Sequence, residues 1–206
     1  MTRIKICGIT NKIDALAAAE LGIDMLGFVF YGKSKRYVEL KTVRDISNEL
    51  PESILKVGIF VDEERNKVLN IAQDASLDIL QFHGEETPDY CSFFKDDYKV
   101  IKAFRVKDRM SLISVNDYAT DYYLFDTYKE SSAGGTGEIF DWELLKDFEV
   151  LKPFILSGGL GPDNVGNAIM EVAPYGVDVS SGIESYPGKK DIVLLKKFVT
   201  NVRRLD

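Results

Sequence analysis

Short apolar runs alternate with amphipathic stretches from one end of the sequence to the other. Eight of these runs are predicted to be strands. Most are rich in Val, Ile and Phe without alternating polar residues, as in strands buried on both faces of a parallel sheet. The predicted strands cover residues 3–7, 25–30, 55–60, 79–82, 100–104, 122–126, 154–157 and 176–180.

The stretches between the predicted strands carry apolar residues at the helical spacing of i, i+3, i+4 and i+7. This spacing is clearest in residues 165–172 and 195–202. Residues suited to helix ends stand where they are expected. They are Asn11 and Gly22 at the two ends of the first helix, Pro162 in the first turn of a later helix, and Asp191 at the start of the last.

Eight strand-then-helix units fit into 206 residues without a linker or a break in composition. This count predicts an α/β protein with a single (β/α)8 barrel, a TIM barrel, over residues 1–206. The alternative is a doubly wound open sheet, which usually has fewer strands and needs a cleft where the strand order reverses. A barrel places its active residues at the carboxyl ends of the strands, and most polar and glycine-rich segments of this sequence follow predicted strands.

Charge and composition narrow the classes of function. The net charge of −7 argues against a nucleic-acid partner, because phosphate neutralisation usually needs a basic face. No apolar run approaches the ~20 residues of a membrane span, and the first residues lack a secretory signal, so we expect a cytoplasmic protein without a membrane partner. Two cysteines, a single histidine and no cluster at metal-ligand spacing predict neither a disulfide framework nor a metal or cofactor.

The loops after the seventh and eighth predicted strands are rich in glycine and serine, where many barrels bind phosphate. Backbone N–H groups at Gly158 and Gly159 could approach an anion closely. Ser180 and Ser181 would add hydroxyl donors, and a helix beginning at Ile183 would add its dipole. The alternative is that the glycines only form tight turns, but two such loops after consecutive strands favour a phosphate site.

Two residues at strand ends have the chemistry of a base and an acid. Cys7 ends the first predicted strand and Asp126 ends the sixth. A thiolate can remove a carbon-bound proton, and a carboxylic acid can protonate a departing oxygen. The thiolate requires a depressed pKa, which nearby amides and basic side chains would favour. Alternatively, Cys7 is a small buried apolar residue and Asp126 caps a turn. Cys91, inside a helical stretch, is expected to be structural.

Other polar residues lie in the predicted rim. Arg36 ends a basic loop and could hold a substrate carboxylate through two hydrogen bonds, although the loop could simply be solvated. His83 could orient a substrate or be structural. The small residues of segment 131–137 could form a lid. That segment lacks the Gly-Lys-Ser/Thr ending of a phosphate-binding P-loop and the pattern of a dinucleotide fingerprint, so no nucleotide is expected.

An ordered set of short motifs resembles the phosphoribosylanthranilate isomerase family from about Lys5 to Asp191. The motifs are KICGIT at 5–10, GFVF at 27–30, QFHGE at 81–85, FDT at 125–127, GGTG at 134–137, FDW at 140–142, LSGGL at 156–160 and VDVSSG at 177–182. Each motif alone is weak, but the ordered set is specific. Two positions depart from the family pattern, with Gly32 where proline is expected and Phe82 where leucine is usual.

The resemblance implies a reaction and a set of roles. The reaction is the Amadori rearrangement of N-(5-phosphoribosyl)anthranilate to 1-(2-carboxyphenylamino)-1-deoxyribulose 5-phosphate, a step of tryptophan biosynthesis. It makes Asp126 the general acid and Cys7 the general base, without a cofactor. The remaining roles are implied for Arg36 at the anthranilate carboxylate, Asp178 at the ribose hydroxyls, and the backbone of Gly158, Gly159, Ser180 and Ser181 at the phosphate.

Two other functions stay open at this point. The related sugar-phosphate isomerase of histidine biosynthesis performs the same rearrangement, but it resembles a two-fold repeat with an aspartate at each catalytic strand end. Cys7 and the absence of an evident repeat weigh against it. A non-catalytic barrel that binds a small phosphorylated ligand would show binding without turnover. The sequence does not distinguish a monomer from a homodimer.

Overall fold

The computed structural model describes residues 1–127, 142–146 and 148–206. Its eight parallel strands form a closed barrel in chain order, which confirms the predicted barrel. The alternative, a doubly wound open sheet, is excluded. The strands are β1 (Arg3–Cys7), β2 (Met25–Val29), β3 (Leu55–Phe60), β4 (Ile79–Phe82), β5 (Lys99–Val106), β6 (Tyr122–Thr127), β7 (Phe154–Leu156) and β8 (Gly176–Val179).

Helices follow most strands and cover the outside of the barrel. They are α1 (Lys12–Glu20), α2 (Leu40–Ser47), α3 (Arg65–Asp74), α4 (Pro88–Ser92), α5 (Glu143–Lys146), α6 (Val165–Val172) and α7 (Ile192–Arg203). The segment between β5 and β6 instead forms two short 3-10 helices, Arg109–Leu112 and Val115–Asp117. Among the described residues, no helix is both long enough and apolar enough to cross a membrane.

The predicted helix ends are mostly confirmed. The Asn11 side chain accepts a hydrogen bond from the Asp14 N–H, and the Asp191 side chain accepts two from the first turn of α7. The prediction for Pro162 was wrong by a few residues, because α6 begins only at Val165. The Asn164 side chain closes a turn around Pro162 by bonding the N–H of Gly161 and the carbonyl of Gly159, and this turn delays the helix.

Apolar residues form two layers on either side of the strands. The larger layer fills the space between strands and helices, and the smaller one fills the inside of the barrel with residues such as Val57, Ile101 and Leu124. Phe82, which departs from the family pattern, packs in the outer layer with its ring 5.2 Å from that of Tyr90 and 5.0 Å from that of Phe94.

Alternation along a strand decides which residues reach the inside of the barrel. Side chains two residues apart point to the same face of a strand. Cys7 therefore shares the inner face of β1 with Lys5, and Asp126 shares the inner face of β6 with Leu124. The inside of the barrel therefore carries both the inner apolar layer and buried polar side chains such as Lys5.

Asp24 joins the two ends of the chain beneath the barrel. Its carboxylate accepts hydrogen bonds from Arg3 Nη1 at 2.5 Å, the Ile4 N–H at 2.8 Å and Arg203 Nη2 at 3.0 Å. Burial opposes ionisation of Asp24, but the bonds from Arg3, Ile4 and Arg203 outweigh it and hold its pKa below the ordinary value. The ionised carboxylate therefore links β1 to the last helix.

We expect Asp24→Asn to lower the free energy of unfolding by about 1–3 kcal/mol at pH 7, because it weakens charge-assisted hydrogen bonds. Since the folded-state pKa of Asp24 is lowered, this stabilisation is complete above its unfolded pKa and is lost as the pH falls through its folded pKa. Urea unfolding at pH 7 and pH 3 measures the difference between variant and parent. Asp45→Asn, at an exposed position, is the control. A difference that does not shrink at pH 3 would contradict this account.

Candidate active site

The inward positions at the carboxyl ends of the strands bring most of the predicted site residues to one end of the barrel. Cys7 lies at the end of β1, His83 directly after β4, and Asp126 near the end of β6. Asp178 lies on β8 and Ser157 directly after β7. The closed barrel thus places the thiol and the carboxyl group on the same rim.

Beneath Cys7, two buried charges pair across the seam between the first and last barrel strands. Lys5 and Asp178 are opposite each other in the register of β1 and β8. Lys5 Nζ donates to Asp178 Oδ1 at 2.9 Å, and the Ser157 hydroxyl lies 3.3 Å from Asp178 Oδ2. Both carboxylate oxygens of Asp178 therefore have hydrogen-bond partners within the protein.

The thiol of Cys7 is partly buried, and its ionisation reflects that position. Burial raises its pKa and Asp178 raises it further, whereas the Lys5 and Lys190 ammonium groups lower it. The net direction is upward. The expected depressed pKa is therefore not found, because the loss of solvation outweighs the two nearby cations.

His83 contacts the carboxylate of Asp126. Its Nε2 lies 3.3 Å from Asp126 Oδ2, and its Nδ1 lies 3.0 Å from Nε2 of the buried Gln81. An amide that donates to Nδ1 leaves the ring proton on Nε2, where it faces the carboxylate. His83 therefore orients Asp126, an arrangement that the sequence did not predict.

Gly158 packs directly against the end of β6. Its φ is +84°, and an added Cβ would lie 2.2 Å from Thr127 Oγ1 and 2.8 Å from Asp126 Oδ1. Only glycine fits this space and this backbone conformation. The loop after β7 therefore lies against the carboxylate of Asp126.

The loops after β7 and β8 also contact each other. A Cβ at Gly182 would lie 2.0 Å from the carbonyl oxygen of Leu160, so the two backbones meet without an intervening side chain. The Ser180 hydroxyl is buried and has no hydrogen-bond partner among the described residues, while Ser181 is exposed beside it. A buried hydroxyl without a protein partner is a group that can donate a hydrogen bond to an anion.

The predicted helix start at Ile183 was wrong. A single 3-10 turn, Ser181–Ile183, ends there, and the chain continues as a hairpin of β9 (Glu184–Tyr186) and β10 (Lys189–Lys190). The Pro187-Gly188 pair forms the turn of this hairpin, and proline followed by glycine is a common turn sequence. The dipole expected from a longer helix is therefore not available to the loop after β8.

Arg36 forms an ion pair with Glu184 of the hairpin. Arg36 Nε lies 2.9 and 3.1 Å from the two carboxylate oxygens, and Nη2 lies 2.6 Å from Oε2. A Cβ at Gly8 would lie 2.5 Å from Arg36 Cδ, so the arginine stem packs beside the end of β1. A cavity of about 500 Å³ opens next to this pair; its lining includes Tyr31, Arg36, Ser181 and Tyr186.

Several polar residues of the site were missed from the sequence. Alternation along the predicted strands pairs Lys5 with Cys7 and Gln81 with His83, and this signal could have identified both as inward-facing. Glu184 and Lys190 gave no such signal, because the hairpin that carries them was not predicted.

The proposed lid at 131–137 lies outside the described residues. Within the described part of the chain, no three His, Cys, Asp or Glu side chains are grouped as metal ligands.

Known proteins match this chain over its whole length. The model of the N-(5'-phosphoribosyl)anthranilate (PRA) isomerase family matches residues 4–201. An N-(5'-phosphoribosyl)anthranilate isomerase from Geobacter sp. (strain M21) is 47% identical over 205 residues, which cover 100% of both chains.

Solved structures agree with the sequence comparison. Phosphoribosyl anthranilate isomerase from Thermotoga maritima matches with a TM-score of 0.92 and 44% identity, over 99% of this chain and 100% of that chain. A phosphoribosyl anthranilate isomerase in complex with reduced 1-(o-carboxyphenylamino)-1-deoxyribulose 5-phosphate matches with a TM-score of 0.86 and 41% identity, over 99% and 100%. This chain therefore belongs to the N-(5'-phosphoribosyl)anthranilate isomerase family of tryptophan biosynthesis.

Proposed function

We propose that this chain converts N-(5-phosphoribosyl)anthranilate to 1-(2-carboxyphenylamino)-1-deoxyribulose 5-phosphate, with Asp126 as general acid and Cys7 as general base. The observation that carries the proposal is the placement of a thiol and a carboxyl group on one rim, beside two glycine and serine loops, in a chain of this family. A relative solved with a reduced form of this product supports a substrate of the same class.

The first step opens the ribose ring. Asp126 gives its proton to the ring oxygen as the bond from that oxygen to C1′ breaks, and the nitrogen lone pair forms a protonated imine with C1′. His83, whose Nε2 lies 3.3 Å from Asp126 Oδ2, supports this step because it helps to fix the carboxyl group that must reach the ring oxygen. The close packing of Gly158 against Asp126 Oδ1 also restricts the position of this carboxyl group.

The second step removes the proton at C2′. The Cys7 thiolate takes this proton, and the electrons of the carbon–hydrogen bond form a double bond between C1′ and C2′ while the imine nitrogen becomes neutral. The enolamine then gains a proton at C1′ and loses one from the C2′ hydroxyl, giving the aminoketone. The site is restored when Cys7 releases its proton and Asp126 takes one up, so the isomerisation needs no oxidant or reductant.

The raised pKa of Cys7 has two effects on this mechanism. It reduces the fraction of thiolate at neutral pH, and it makes each thiolate a stronger base. Lys5 and Lys190 oppose the effect of burial and so favour the ionised form, although they do not reverse the upward shift of the pKa. The adjacent cationic imine acidifies the C2′ proton, and a base of modest strength then suffices.

Substrate binding is assigned to the rest of the rim. We place the phosphate on the backbone of Gly158 and Gly159 and on the Ser180 and Ser181 region, because two loops that touch there present a buried hydroxyl. The anthranilate carboxylate is assigned to Arg36, in the cavity of about 500 Å³.

A ribose contact for Asp178 remains a prediction. Its oxygens already bond Lys5 and Ser157, so a ribose hydroxyl would use the remaining lone pairs.

We further propose that the chain works in the cytoplasm as a monomer or homodimer. Its only proposed ligand is the small phosphorylated substrate, without a nucleic-acid or membrane partner.

Removing the proposed base or acid tests the mechanism. We expect Cys7→Ala and Asp126→Asn each to lower kcat by about 10²-fold or more, with smaller effects on binding. Loss of substrate fluorescence, followed without added metal, measures turnover. Cys91→Ala is the control, because Cys91 lies buried in α4.

Several outcomes would contradict parts of this proposal. Turnover that survives both substitutions would refute the assigned roles. Activity confined to the aminosugar of the histidine pathway would refute the substrate. Binding of phosphoribosylanthranilate by the unmodified protein without turnover would favour a non-catalytic barrel.

Alkylation tests the ionisation of Cys7 without substrate. Because burial raises the pKa of this thiol, the alkylation rate with iodoacetamide should have a midpoint at higher pH than that of a free cysteine measured alongside it. Peptide mapping separates Cys7 from Cys91, whose pKa burial raises to about 12. A midpoint below that of free cysteine would contradict the assigned environment.

Arg36→Met keeps the arginine stem and removes the charge. We expect KM for phosphoribosylanthranilate to rise by about 10- to 100-fold, from the loss of a charge-assisted bond, with a smaller change in kcat. Steady-state kinetics with the matching aniline derivative, which lacks the carboxylate, should show little change in KM. Lys41→Met, at an exposed position of α2 outside the cavity, is the control. Equal losses with both substrates would exclude a role at the carboxylate.

A further inference from the structure

Lys190 is a buried cation near the rim whose role the proposed mechanism does not assign. It lies on β10 with 2% of its surface exposed. Its ammonium group donates to the Cys7 carbonyl at 2.6 Å, to Glu184 Oε1 at 2.9 Å and to the Ser180 carbonyl at 3.3 Å. Three acceptors match the three N–H groups of an ammonium ion.

These three acceptors belong to three different parts of the proposed site. The Cys7 carbonyl is the backbone of the proposed base, and the Ser180 carbonyl is the backbone of the proposed phosphate loop. Glu184 is the ion-pair partner of Arg36, the proposed ligand of the carboxylate. The Lys190 side chain thus bonds directly to the backbone of the proposed base and of the phosphate loop, and it reaches Arg36 through Glu184.

The charges along this chain of contacts leave one positive charge for a ligand. Lys190 and Arg36 share the single carboxylate of Glu184, which is itself buried. Glu184 occupies Nε and one hydrogen of Nη2 on Arg36, and Nη1 is not used in this ion pair. Arg36 therefore keeps donors in a fixed direction, and Lys190 offsets the repulsion that Glu184 would exert on an incoming carboxylate.

Four charged groups act on the thiol of Cys7 from the elements packed against it. Lys5 on β1 and Lys190 on β10 lower its pKa, and Asp178 on β8 raises it. Arg36, in the loop after β2, interacts with the same thiol. Burial lowers the pKa of Lys190, while Glu184 and Cys7 oppose that shift. Lys190 is thus coupled electrostatically to the proposed base.

We propose that Lys190 is a positioning residue that holds the base, the phosphate loop and Arg36 in one arrangement, with Glu184 as the link to Arg36. This inference rests on the proposed function for its kinetic effects. Through the contacts of Lys190, the hairpin of β9 and β10 forms part of the proposed site. A purely structural lysine would affect stability without affecting these three regions.

Lys190→Met tests the proposal, because methionine keeps an unbranched side chain of similar length and removes the charge and the donors. We expect kcat to fall and KM for phosphoribosylanthranilate to rise, each by about ten-fold or more. The alkylation midpoint of Cys7 should move upward by roughly one pH unit, because a nearby cation is lost. Lys197→Met is the control, because Lys197 is an exposed lysine of α7 that pairs with Asp163.

Glu184→Gln is the second variant and remains informative if Lys190→Met does not fold. It keeps a similar shape and weakens the link to Arg36, so KM should rise by about ten-fold while kcat changes less. Thermal unfolding of all variants separates these effects from a general loss of stability.

Distinct outcomes overturn distinct statements. Parental kcat, KM and Cys7 midpoint in a folded Lys190→Met would overturn the proposal, even if its Tm is lower. Parental KM in Glu184→Gln would overturn the link to Arg36. If the unmodified protein shows no turnover, the proposed function fails, but the shift of the Cys7 alkylation midpoint still decides whether Lys190 acts on the base.

Discussion

The pairing of β8 with β1 is the contact on which the whole rim depends. It closes the ring and brings together residues from opposite ends of the chain, with Lys5 directly opposite Asp178. Without closure, Cys7 would lie at the exposed edge of an open sheet. The loop after β8 would then have no fixed position relative to the thiol. The pairing of β1 with β8 therefore fixes the positions of the polar groups on the rim relative to one another.

Two buried ion pairs lie around this seam. Lys5 pairs with Asp178, and Lys190 pairs with Glu184, all four with little exposed surface. Removing such groups from water costs about as much as their attraction returns, so buried pairs are weak evidence for stability. Their position points instead to orientation of neighbouring groups, and it explains why cations lie near Cys7 while burial still raises its pKa.

Much of the fold was predictable from the sequence because buried parallel strands leave a strong signal. All eight strands appear within a few residues of their predicted bounds, and Cys7, His83 and Asp126 lie at or directly after strand ends, as predicted. The hairpin after β8 was not predictable in the same way, since its two strands are short and Glu184 lies outside any periodic pattern. The contacts of Arg36 and Lys190 depend on that hairpin, so they required the structure.

Gly158 ties two properties of the site to one position in the chain. The loop proposed to bind the phosphate packs there against the carboxyl group proposed to donate a proton. This close contact is possible only because Gly158 has no side chain. Neither can be adjusted independently at this point, because any larger side chain would displace both at once. Position 158 therefore has to remain glycine in any variant that keeps both the loop and the carboxyl group in place.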